Sequence, residues 1–292
     1  MNFEEIKICI IGAGKLGLSF ASYFSKKNCN FQILVRSESS LERATAIIPK
    51  SNIIRTLSEM NELSDLTILA VRDSEIRGAA EFLANHFQSK LNNKYIAHCS
   101  GMLSSDELSA CKEYGSKNVT LHPYQTFYLP SAETFKKVHW GLEGEIDAFI
   151  ENFINFMGGE AHKIEKSNKK LYHISAVAMS NYLNSAIALG KLSSRAAGIS
   201  PEEFAPVIIN TTINNILASD KLENNTLTGP IARGDLLTIK LHIEELRKHR
   251  ELLLPYSYMG LATLELANTA GIIDDNFYQE CHALLFSEIN VK

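Results

Sequence analysis

Paired cysteines are missing from this sequence. Cys9, Cys29, Cys99, Cys111 and Cys281 form an odd, scattered set with no C-x-x-C. That pattern argues against a disulfide framework and a cysteine zinc site, so no metal is expected, and it suits a reducing compartment. Basic runs are missing too: no lysine or arginine cluster exceeds two residues and the formal net charge is -4, which leaves no electrostatic footprint for nucleic acid or anionic lipid. No apolar run approaches the roughly 18 residues of a membrane span. Glu4 and Glu5 stand where a secretion signal would be basic. The expectation is a cytoplasmic protein without nucleic-acid or membrane partners. Small-molecule chemistry is what remains.

What is present is ordinary globular composition, 45% hydrophobic and 21% charged, in 292 residues, enough for two domains. From Ile6 to Gly159 short β-rich runs alternate with helical stretches: "IKICIIG", "FQILVR", "LTILAV", "KYIAHCS", "NVTLHP" and "VHWGLEG" are the strand candidates. This alternation predicts parallel βαβ units with helices on both sheet faces. After "GGEAHKI" the β signal largely stops, and helices are predicted over 169–197, 201–219, 234–250, 255–271 and 275–288. The fold class is therefore α/β, a Rossmann-type mostly parallel domain over residues 1–165, followed by an all-α domain over 166–292. Ser167 or Asn168 is the expected cap of the first long helix. Ligands are expected at the carboxyl ends of the strands.

"GAGKLG" (Gly12, Ala13, Gly14, Lys15, Leu16, Gly17) follows a strand and opens a helix, and a second strand closes the unit. In that context G-x-G-x-x-G predicts a dinucleotide, its pyrophosphate met by amides at the helix N-terminus. Arg36 ends the second strand where an acid would select NAD. With Ser37, Ser39 and Ser40 as further donors it points to the 2′-phosphate of NADPH, against Glu38 two residues on. Val71, Asp73 and Ser100 end later strands and join the expected cofactor set, Asp73 as a helix cap.

Substrate-side candidates follow from strand ends and helix periodicity. "YIAHCSG" places His98, Cys99, Ser100 and Gly101 in one loop, with Cys99 a poor nucleophile because no cation is in view. "TLHPYQTF" offers His122, Gln125 and Thr126, and a histidine can move protons near neutral pH. On the long helix His173, Ser180, Asn181 and Asn184 fall on one stripe, preceded by Lys169 and Lys170 as proton donors. "LTGPIARGD" holds Arg233 at a turn before a helix, suited to a substrate carboxylate or to a bridge with Asp235.

"GAGKLG", "HCSG" with "LSSDEL", "HPYQTF", "YHISAVAMSNYL" and "LTGPIARGD" together resemble a family of oxidoreductases that pairs a Rossmann domain with a C-terminal helical domain. That family long had no assigned function. It is similar to pyrroline-5-carboxylate reductase, 6-phosphogluconate dehydrogenase and ketopantoate reductase. One branch is an alternative type of ketopantoate reductase. The resemblance implies NADPH-dependent reduction of 2-dehydropantoate to pantoate, toward pantothenate and coenzyme A. Ketopantoate reductases carry a lysine four residues before the asparagine matched here by Asn181, but that position is Val177. The acid then comes from His173, Lys169 or Lys170, with His122 and Asn181 completing the expected catalytic set and Ser180, Asn184, Gln125 and Arg233 contacting substrate. Rival readings are imine reduction, prephenate-type oxidation, or an NADP-binding sensor. The helical domain is expected to form a homodimer.

Overall fold

In this computed structural model residues 3–60, 63–219 and 226–290 are described. The first part runs β1 (Ile8–Ile11), α1 (Lys15–Lys26), β2 (Phe31–Leu34), α2 (Glu38–Thr45), β3 (Ile53–Ile54), β4 (Leu66–Leu69), α3 (Asp73–Phe87) and β5 (Tyr95–His98). It continues with α4 (Ser109–Lys112), β6 (Lys117–Pro123), β7 (His139–Gly144), α5 (Ala148–Phe156), β8 (Glu160–Lys163) and α6 (Lys169–Val177). The strands form one sheet in the order β3-β2-β1-β4-β5-β6-β7-β8. All pairings are parallel except β6 with β7. The order reverses between β1 and β4, the switch point at which open α/β sheets bind ligands.

β1 is buried on both faces, so its side chains split by parity. Ile8 and Ile10 join a core with Phe20, Phe24, Trp140 and Phe153, while Cys9 and Ile11 face Ile76, Ala80 and Leu83 of α3. The first of these faces stays apolar across the sheet, through Ile68, Ala97, Val119, Leu121, Trp140 and Leu142. The second changes character beyond β5. His98, Thr120 and Glu143 are buried there, with His122 half-buried, and α6 lies against this polar stretch.

Chain compactness divides the molecule into Met1–Ser180 and Asn181–Lys292, so α6 belongs with the sheet. The second unit holds α7 (Leu183–Ala196), α8 (Pro201–Ala218), α9 (Leu236–Leu246), α10 (Arg250–Thr269) and α11 (Asp275–Ile289). Ile239, Ile243, Leu264, Phe277, Cys281 and Leu285 make its core. Asp235 and Asp274 cap α9 and α11 by accepting from the amides of Thr238 and Phe277. Across α8, Phe204, Val207, Ile208, Ile216 and Leu217 are each more than half exposed. No helix among the described residues is long and apolar enough to cross a membrane.

Three local expectations change. The helix predicted over 169–197 is interrupted by a π turn at Ala178–Tyr182. Neither Ser167 nor Asn168 caps α6, because a 3-10 turn at Lys166–Asn168 runs directly into it with Asn168 already in helical backbone. α10 begins at Arg250 rather than after Pro255, since burial of Leu252 and Leu253 offsets the hydrogen bond that the proline removes.

Candidate active site

The glycine turn after β1 has three different steric requirements. Gly12 has φ +112°, and a Cβ there would lie 2.5 Å from the Ala70 carbonyl oxygen. At Gly17 a Cβ would lie 1.9 Å from the Gly12 carbonyl oxygen, so helix and strand could not approach. Gly14, the N-cap of α1, faces open space instead, with nothing within 4 Å of a Cβ and no side-chain cap on the helix. Its bare N-terminal amides form the cradle that a pyrophosphate fits. Lys15 lies beside it, its ammonium 5.1 Å from the centre of the Tyr128 ring.

At the end of β2 the side chains sort by charge. Arg36 is exposed. Ser37 caps α2 by accepting from the Ser40 amide, and the Ser40 hydroxyl accepts from Arg43 Nη2 at 2.8 Å. Arg55 Nη2 donates to the Arg36 carbonyl and, at 2.8 Å, to Glu38 Oε1. Glu38, the acid two residues past Arg36, is thus engaged by Arg55. Arg36 and Arg43 remain beside three serines, a donor set suited to a phosphate.

The ends of β4 and β5 are tied together. Asp73 is the first residue of α3 rather than its cap, a position held by Arg72. Its carboxylate instead accepts from Ser100 Oγ at 2.7 Å, and Ser100 Oγ accepts from the amides of Met102 and Leu103. The Ser100 amide donates to His98 Nδ1, so the ring proton sits on Nε2 and donates to the Ser104 carbonyl at 3.0 Å. Burial holds His98 below the ordinary imidazole range. Cys99 is no nucleophile, because burial drives its thiol far up.

Next along the same edge, a Cβ on Gly101 would lie 2.6 Å from His173 Nδ1 and 2.8 Å from His122 Nε2. The missing side chain is what lets two imidazoles from β6 and α6 meet this loop. His122 Nδ1 lies 2.9 Å from the Tyr172 hydroxyl. If that hydroxyl donates, the His122 ring proton is on Nε2 and points to Gly101. His173 Nδ1 is buried without a hydrogen-bond partner, a cost that a bound polar group would remove.

Of the two lysines opening α6, Lys170 is exposed and Lys169 is 1% exposed. The Lys169 ammonium donates to Thr120 Oγ1 at 3.0 Å and to the Ser100 carbonyl at 3.4 Å. Desolvation lowers its pKa, opposed by the charges of Glu143 and Asp73. Desolvation, with the neighbouring His173 and Lys169, also drives His122 down to about 4. Glu143, Tyr124 and Ser175 complete this polar layer: Glu143 accepts from the Ser105 amide and hydroxyl, and the Tyr124 and Ser175 hydroxyls lie 2.7 Å apart.

Gly12, Gly14, Gly17, Val71, Asp73, Ser100, His122 and His173 thus form one line along the carboxyl ends of β1, β4, β5 and β6. Gln125 turns its side chain onto the Thr126 amide, and Ser180 donates to the Ala176 carbonyl of its own helix. Asn181, within the π turn, and Asn184, in α7, are exposed and belong to the second unit. Arg233 also lies in that unit, 64% exposed and 3.9 Å from Asp235, too long for a strong bridge. Lys169 and Tyr172 are the residues that strand-end reasoning underweighted. The signal for them is the i, i+3, i+4 spacing of Lys169, Tyr172 and His173.

Comparison with known proteins bears on the fold. Residues 1–123 match the sequence profile of a Rossmann-like domain. Residues 138–263 match that of a domain of unknown function, DUF2520. No curated protein matches the chain. A Bacteroides fragilis protein proposed to be an NADP oxidoreductase superposes with a TM-score of 0.71 at 18% identity, over 99% of this chain and 100% of that one. A reductive aminase from Aspergillus terreus, solved with NADPH and ethyl levulinate, gives 0.58 at 13% identity over 98% and 94%. Pyrroline carboxylate reductase from Plasmodium falciparum, with NADP bound, gives 0.54 at 14% over 97% and 99%. These identities establish the shared architecture, a Rossmann-type sheet followed by helices.

The low pKa of His122 has a thermodynamic consequence. Between about pH 4 and the ordinary value of 6.5 the unfolded chain binds a proton at this position that the folded chain does not, so stability rises with pH across that window and falls on acidification. From pH 7 to 5 His122 should cost about 2 kcal/mol of folding free energy, with His98 adding in the same direction. Urea denaturation of His122→Asn should show a pH dependence smaller by about that amount. An unchanged slope would place the titration elsewhere.

Proposed function

We propose that this chain is an NADPH-dependent reductase acting on a small substrate with a carbonyl or imine carbon, 2-ketopantoate being the first to test. The observation that carries this reading is the unbroken line from the open Gly14 turn to the unpartnered His173 Nδ1. It joins a phosphate cradle to proton-handling groups along one sheet edge. Gly12, Ala13, Gly14, Lys15, Leu16 and Gly17 would hold the pyrophosphate, and Arg36 with Ser37 the 2′-phosphate. When bound, NADPH supplies the hydride. Lys169, buried and with a lowered pKa, can release a proton to the developing anion, while His173 Nδ1 and His122 Nε2 present hydrogen-bonding nitrogens at Gly101. Val71 lies against the Gly12 turn, and Asp73 and Ser100 fix the loop that brings Gly101 to them. The reducing environment suited to five unpaired cysteines supports a cytoplasmic setting.

A second reading, imine reduction, draws support from architecture shared with the reductive aminase and pyrroline carboxylate reductase. One assay separates the two. NADPH consumption is followed with 2-ketopantoate, with pyrroline-5-carboxylate, and with a ketone plus amine, each repeated with NADH. Turnover of 2-ketopantoate with a preference for NADPH, lowered by about 10²-fold or more in kcat by Lys169→Met, is the expected result. Turnover restricted to the imine substrates would move the assignment to the second reading. Tight NADPH binding with no turnover would make the chain a sensor.

The large apolar side chains left exposed along α8 support a homodimer through the helical region, because association would cover them. Sedimentation should give twice the chain mass. A monomer mass at micromolar concentration would contradict it.

A further inference from the structure

Outside the reductase line, β7 and β8 carry an exposed cluster that the chemistry above does not use. Their parallel register sets His139 opposite Glu160 and Gly141 opposite His162. Side chains alternate along a strand, so Glu160 and His162 share a face, and cross-strand partners share it with His139. One ligand atom from each of the three lies within 4.8 Å of the others. His139 Nδ1 and His162 Nε2 are 2.7 Å apart, and Glu160 Oε2 is 3.7 Å from His139 Nδ1.

Two imidazole nitrogens at that separation cannot both carry protons. Either one neutral ring donates to the other, or both lone pairs turn to a shared cation. We propose that His139, Glu160 and His162 bind a first-row divalent transition metal, with zinc the natural probe. Two imidazoles and one carboxylate are a donor set that suits zinc better than magnesium, and bonds of about 2.0–2.1 Å at a tetrahedral angle set the two nitrogens about 3.3 Å apart, a separation of roughly 0.6 Å more that exposed side chains reach by small rotations. The ligands stand on paired strands rather than loops, so little ordering is required. Solvent exposure leaves the remaining coordination positions to water. β8 is the last strand of the sheet and all four of its residues are exposed. A metal there would fasten this edge strand to β7.

The test is calorimetric titration of chelator-treated protein lacking any polyhistidine tag with zinc chloride, alongside magnesium chloride. Thermal melts are run with and without zinc. One zinc per chain should bind, raising the melting temperature, while magnesium does neither. His139→Ala and His162→Ala should each weaken zinc binding at least tenfold and abolish the thermal shift. Their metal-free melts should match the parent, since the replaced side chains are exposed. Absence of zinc binding by the parent, or binding that both variants retain within tenfold, would overturn the assignment.

Discussion

Burying a polar row beneath a helix is the constraint on which the rest of this structure depends. β6 and β7 send Val119, Leu121, Trp140 and Leu142 into the aromatic core on one face, and the same alternation obliges Thr120, His122 and Glu143 onto the other. Unpaired, each of those groups would cost about 1–3 kcal/mol on burial. α6 meets Thr120 with Lys169, His122 with Tyr172 and, just past β6, Tyr124 with Ser175, and the loop after β5 meets Glu143 with Ser105. Hydrogen bonds thus hold the helix to the sheet, and two groups with depressed pKa values, His122 and Lys169, result.

That arrangement stores cost where chemistry would use it. A lysine ammonium with one hydroxyl and one distant carbonyl is under-solvated, and an imidazole nitrogen without a partner is more so. The unpartnered His173 Nδ1 beside Gly101 is a loss of stability that a substrate oxygen or nitrogen would offset. The glycine itself completes the case, since any side chain there would displace both imidazoles.

Much of the sheet was legible in the sequence because parallel strands buried on both faces read as continuous apolar runs. "ICII" and "LTIL" are such runs, and "GAGKLG" sits between strand and helix as the dinucleotide motif requires. β3 was not legible, being two residues long, nor was β8, whose "EAHK" has no apolar pattern at all. The candidate site was partly legible. His122, His173 and Ser100 could be picked from strand ends and helix spacing. The choice of Lys169 over Lys170 depends on which side of α6 meets the sheet. Its clue was the polar alternation of "NVTLHP" and "HWGLE", so unlike the other strands. The π turn had no such clue.

The central claim is that the glycine turn and the Gly101 histidines belong to one site. Heteronuclear NMR of histidine-labelled protein during titration with NADP tests it most directly, with the amides of Gly12, Gly14 and Gly17 followed in parallel. The account predicts that the His122 and His173 ring signals move and saturate together with the glycine amides at one equivalent. Saturation of the amides while both rings stay unmoved would separate the turn from the histidines and contradict it.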